Sequence, residues 1–169
     1  MGIECTMYQI TPDELETILD SEAAFQKFHD SCFPETLDED EAIEYSSMEE
    51  NSLYLGKMWH LLHYLITGDA DNEDYPLAYA VMAGYLLHKS WNDWSFLPSD
   101  QVKEIAEALA DLSDDDLGKV GEIRPIPEIY RTPSISKDDV EEALDYFHNL
   151  KDYYQDAAVK GNAILRVFG

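Results

Sequence analysis

Apolar and polar positions along this chain repeat with two different periods, and each change of period marks a new element. In "GIECTMYQI" apolar side chains recur at every second residue through Ile3, Cys5 and Met7, which predicts a first strand. The pattern then turns helical. Thr11, Pro12 and Glu14 make an N-terminal capping box, and Leu15, Ile18, Leu19 and Ala23 supply an apolar stripe that predicts one helix to about Phe28. A second helix is predicted from about Ser52 to Thr67, closed by Gly68, and Pro76 opens a third in "PLAYAVMAGYLLHKS". Trp91, Trp94 and Phe96 fall in a loop that enters a short strand. Ser99 caps "SDQVKEIAEALADL", where Val102, Ile105, Ala106, Leu109 and Leu112 keep helical spacing, and Ser113 starts a shorter turn. Residues 122–136, with three prolines, read as an irregular connector. Ser136 caps the last long helix, Gly161 ends it, and "AILRVF" predicts a final strand. The fold class expected is α+β: a single domain over 1–169, predominantly helical, with a small sheet formed by N-terminal, central and C-terminal strands.

Composition narrows the setting. At 169 residues and 45% apolar side chains, the chain has enough material for one core. The longest uncharged apolar stretch, Tyr75 to His88, is too short to cross a bilayer, and "MGIECTMYQI" is not a basic-then-apolar leader, so a cytoplasmic location is expected. Cys5 and Cys32 show no CxxC spacing and read as two buried thiols.

Charge changes the picture most. The chain carries 36 acidic and 11 basic residues, a net charge of −25. Residues 1–98 hold only three lysines against 20 acids, and residues 35–50 hold eight acids with no base. Such a surface repels phosphate backbones and anionic lipid, which argues against direct nucleic-acid or membrane binding. It attracts a basic protein partner. Solubility, or adaptation to a salty interior, accounts for the same excess with no partner at all.

Candidate chemistry concentrates in "KMWHLLHYLITGD", Lys57 to Asp69. At about 100° per residue, Leu55, Met58, Trp59, Leu62, Leu65 and Ile66 share one arc, His63 lies at its edge, and His60 falls opposite with Lys57, Tyr64 and Thr67. One reading is a core helix with an edge histidine. The other is a small-molecule enzyme or metal-dependent hydrolase, with His60, His63 and Asp69 as acid, base or ligands. The HExxH spacing of helical zinc sites is absent, as are a Gly-x-Ser-x-Gly elbow, a P-loop and a Gly-rich dinucleotide turn. No cofactor is therefore expected.

In order, "GKMWHLLHYLITGD", "PLAYAVMAG", "FLPSDQVKEIAEAL" and "LDYFHNLKDYYQDAAVKGNAILRVF" resemble the YfbM-like family of small bacterial proteins. The most specific part is the run that contains Lys57, Trp59, His60, His63, Thr67 and Gly68. The resemblance implies a single α+β domain and, the family being one of unknown function, no activity. The functional expectation is thus a non-enzymatic protein-binding module of the immunity or inhibitor type that covers a basic partner surface. Trp91 and Trp94 are its candidate apolar anchors, and Asp38, Glu39, Asp40 and Glu41 its candidate charge.

Overall fold

The structure, a computed structural model, describes residues 2–33 and 49–169. Five strands, β1 (Cys5–Ile10), β2 (Ser52–Gly56), β3 (Tyr85–His88), β4 (Trp91–Leu97) and β5 (Ala163–Phe168), form one sheet in the order β2-β1-β5-β4-β3. Every neighbouring pair is antiparallel. The two sequence-terminal strands meet as the pattern predicts, with Cys5 opposite Phe168 and Ile10 opposite Ala163. Among the described residues, six α-helices flank the sheet: α1 (Pro12–Asp20), α2 (Glu22–Cys32), α3 (Trp59–Thr67), α4 (Ser99–Ala110), α5 (Asp114–Gly121) and α6 (Lys137–Lys160). The fold is α+β.

Strand β5 explains the layering. Both of its faces are covered, so Ala163 to Val167 are all buried rather than alternately exposed, Arg166 among them. Ala163, Leu165 and Val167 join Ile10, Leu15, Ile18, Phe25 and Trp94 in a core beneath α1 and α2. Ile164 faces the other way, into a larger core with Met7, Leu62, Leu97, Ile105, Phe147 and Leu150 under α3, α4 and α6. Cys5 and Cys32 are both buried free thiols, and burial pushes each up to about 12.

The local caps form as predicted. Thr11 and Glu14 close the capping box of α1, Ser136 caps α6 with Asp139 in a second box, and Gly68 and Gly161 end α3 and α6 with left-handed φ of 79° and 70°. Ser113, expected to open only a turn, caps all of α5. Four expectations are corrected. The helix predicted to Phe28 breaks at Ser21, whose extended backbone lets its hydroxyl accept from the Ala24 N–H and cap α2, leaving Ala23 exposed and Phe25 buried. The predicted helix over 52–67 is two elements: β2 pairs with β1, and Gly56, at φ 53°, turns the chain toward α3. "PLAYAVMAGYLLHKS" makes only a short 3-10 turn over Leu77–Ala80 and then β3. The cap of α4 is Pro98, with no side-chain hydrogen bond, rather than Ser99.

Candidate functional site

Helix α3 is sealed on nearly all sides, because α5, α6 and the Leu77–Ala80 turn pack around it. Leu61, Leu62, His63, Tyr64, Leu65 and Ile66 are all buried. Trp59 anchors its start. Its indole N–H donates to the Ile3 carbonyl at 3.1 Å, and its ring stacks with His60 at 4.9 Å and Tyr130 at 5.6 Å while Phe168 meets it edge-on.

His60 is used on both nitrogens. Nδ1 accepts from the Tyr130 N–H at 2.9 Å, which places the ring proton on Nε2, and Nε2 donates to the Ala70 carbonyl at 3.0 Å. The imidazole thereby ties the 122–136 connector and the loop after α3 to one helix. His63 is fully enclosed, and neither ring nitrogen meets a partner at full hydrogen-bonding geometry. Burial first, then the nearby His60, lower its pKa to about 4, while the Asn72 backbone and the Asp69 carboxylate pull the other way. Burial at this position exceeds the edge placement expected from the helical wheel.

Thr67 and Gly68 finish the helix. The Thr67 hydroxyl lies between the carbonyls of His63, at 2.9 Å, and Asp69, at 2.7 Å, and accepts the Asp69 N–H, while the Gly68 N–H donates to Tyr64. The Asp69 carboxylate accepts from the Asp71 N–H on the surface. His60 and Asp69 act on the charge of His63, but His60 is committed to backbone groups, His63 is enclosed and the Asp69 carboxylate bonds the Asp71 N–H. A groove of about 700 Å³ opens between β1 and the α1–α2 pair, lined among others by Thr11, Asp13, Thr17 and Lys27, and none of the three residues reaches it or the smaller cleft beside α1. Among the described residues, no group of three or more His, Cys, Asp or Glu side chains is placed to hold a metal ion.

Lys57 sits at the surface in the turn before α3, 3.5 Å from Glu4. A hydrogen bond from Tyr54 and the Lys57 charge hold Glu4 below the usual carboxylate range. Trp94 is 1% exposed, stacked on Tyr8 and edge-on to Phe25 and Phe28. Its proposed role as a partner anchor is corrected: the side chain faces inward from β4 and fills the smaller core. Trp91 is half-buried between Phe25, at 5.1 Å, and His29, at 4.7 Å. Asp38, Glu39, Asp40 and Glu41 lie outside the described residues.

The comparisons with known proteins agree with this architecture. The family described as a domain of unknown function (DUF1877) matches residues 1–167. The chain belongs to that family. Among solved structures it is similar to the crystal structure of YfbM from Escherichia coli, a protein of unknown function, with a TM-score of 0.69 and 19% identity over 98% of this chain and 99% of that one. At that identity the likeness speaks for the fold. No curated protein matches the chain.

Sequence reasoning missed two residues of this DUF1877 chain that organise its interior. Tyr130, in the proline-rich connector, supplies both a stacking ring and the N–H that His60 accepts, and nothing in its local sequence signals either. Arg166 is 1% exposed in β5, where its guanidinium donates to the carbonyls of Tyr79, at 3.1 Å, Met82, at 3.0 Å, and Ala83, and to the Ser95 hydroxyl. A single charged residue inside "AILRVF" was the available signal.

Charge pairing is sparse. Among the described residues, only Lys57 with Glu4 and Lys160 with Asp156 join a lysine to a carboxylate. Arg124, like Arg166, donates to backbone carbonyls instead. No helix among the described residues is long and apolar enough to cross a membrane.

Proposed function

We propose that this protein is a cytoplasmic, non-enzymatic binding module that covers a basic surface on a partner protein, as immunity and inhibitor proteins do. The observation that carries this reading is the excess of charge: 36 acids face 11 bases, and among the described residues only two lysines pair with a carboxylate. Carboxylates without internal partners keep their field for an incoming cationic surface, which speeds encounter and makes it sensitive to salt. The geometry of the histidine helix favours this reading over a hydrolase, because His60 spends both nitrogens on backbone groups and His63 is closed to solvent.

The test is capture from a native lysate by the immobilised chain at low salt, eluted with a salt gradient and identified by mass spectrometry. A discrete basic protein released at moderate salt is the expected result. A clean eluate, or a partner whose affinity ignores ionic strength, overturns the reading.

A further inference from the structure

The outer edge of β3 gathers what such a module needs. Three of the eight strongly exposed large apolar side chains among the described residues lie here: Tyr75, Tyr85 and Leu86, at 39, 42 and 52% exposure. The rings form one continuous row, with Tyr75 and Tyr79 centroids 5.2 Å apart, Tyr79 and Tyr85 6.3 Å apart, and Tyr85 5.5 Å from Phe96. Strand β3 ends the sheet, with β4 as its only strand neighbour among the described residues.

Carboxylates border this row. Tyr75 donates its hydroxyl hydrogen to Glu104, and Gln101 donates to the Tyr85 hydroxyl at 2.6 Å, so the phenols are tied to the exposed side of α4. Asp74 precedes Tyr75, and Asp100 stands in the first turn of α4. None of Asp74, Asp100 and Glu104 is among the described ion pairs. An aromatic face beside unpaired carboxylates is suited to a guanidinium or ammonium group. The ring quadrupole attracts the cation, the carboxylate accepts its N–H bonds, and the aliphatic stem of the side chain covers apolar surface. Tyrosine is also enriched where interfaces concentrate their energy.

We infer that the Tyr75–Tyr79–Tyr85 face, with Asp100 and Glu104 at its rim, is the docking surface for an arginine- or lysine-bearing segment of a basic partner protein. The inference rests on the basic-partner reading and adds a location to it. Docking proceeds through side chains rather than by extension of the sheet, because β3 is only four residues long and its register to β4 shifts between Leu86 and His88.

The probe is a short synthetic peptide of alternating arginine and valine, compared with its glutamate-for-arginine counterpart. Both are titrated into the full chain, and affinity is read at low and moderate salt. The double variant Tyr85→Ser with Glu104→Gln is set against Glu141→Gln with Glu142→Gln, two exposed positions on α6. The α6 control removes more charge, so long-range attraction alone predicts the larger loss there. The docking surface predicts the reverse: roughly tenfold weaker binding for the edge variant and less than about twofold for the control. Glu104→Lys serves as the second edge variant, because it reverses charge at the rim from an exposed helix position without touching the sheet, and it too weakens binding. If the control loses as much as both edge variants, the docking surface is overturned while the basic-partner reading stands. If the arginine peptide binds no better than the glutamate peptide, both fall.

Discussion

Two imidazoles three residues apart on α3 have opposite surroundings. His60, in the first turn of its helix, finds two backbone groups to bond, while His63, one turn on, points into packing where neither nitrogen meets a partner at full hydrogen-bonding geometry. The sequence pattern separated the two residues but misjudged the depth of His63. A helical wheel assumes one wet side, and α3 has almost none. The consequence is measurable. The folded pKa of His63, about 4, lies below the ordinary imidazole value near 6.5. Below that ordinary value the unfolded chain binds a proton that the folded chain refuses until near pH 4. Stability is therefore full at neutral pH and falls as pH drops through that window, by up to about 3 kcal/mol from this residue. His63→Leu removes the titration and, with neither ring nitrogen at full hydrogen-bonding geometry, it should cost little at pH 7 and lose less than the parent at pH 5. Urea midpoints of both chains at the two pH values decide the matter. Equal losses would show that this imidazole is not the titrating group.

Between elements, what the sequence reveals depends on how far away the deciding partner lies. Thr11, Ser136, Gly68 and Gly161 act on backbone groups within a few residues, and their helix ends were legible for that reason. β2 is a strand because β1 lies beside it, and its apolar residues alone fit either period. The apolar composition after Pro76 predicts a helix, yet Arg166 collects the carbonyls of Tyr79, Met82 and Ala83 that a helix would need for its own ladder. Gly84 belongs to the same device, since a Cβ there would sit 2.9 Å from the Arg166 Nη2. Arg166→Met should therefore do more than remove a charge. It takes the guanidinium donor from the Met82 and Ala83 carbonyls and leaves Tyr79 the longer bond from the Tyr154 hydroxyl, with an expected loss of about 2–4 kcal/mol in urea unfolding. Amide exchange should accelerate first in residues 77–88, which the fork holds against the sheet. Uniform acceleration across the molecule would mean that the fork contributes only general stability.

Across the whole molecule, charge sets the terms for stability and association in opposite directions. Like charges that fold into one compact body repel each other, and screening relieves that repulsion once the Debye length shrinks from roughly 20 Å toward 4 Å between about 0.02 and 0.5 M salt. With −25 in net charge and few ion pairs among the described residues to weaken, the melting temperature should rise by several degrees over that range. Binding to a cationic partner should weaken over the same range, because the field that salt removes is the field that attracts the partner. A chain whose acidity serves solubility or salt adaptation shows the first response alone. Paired thermal melts and peptide titrations along one salt series therefore separate the readings. A melting temperature that stays flat or falls would mean that the carboxylates are already compensated in the folded state, and the argument from unpaired charge to a basic partner would lose its premise.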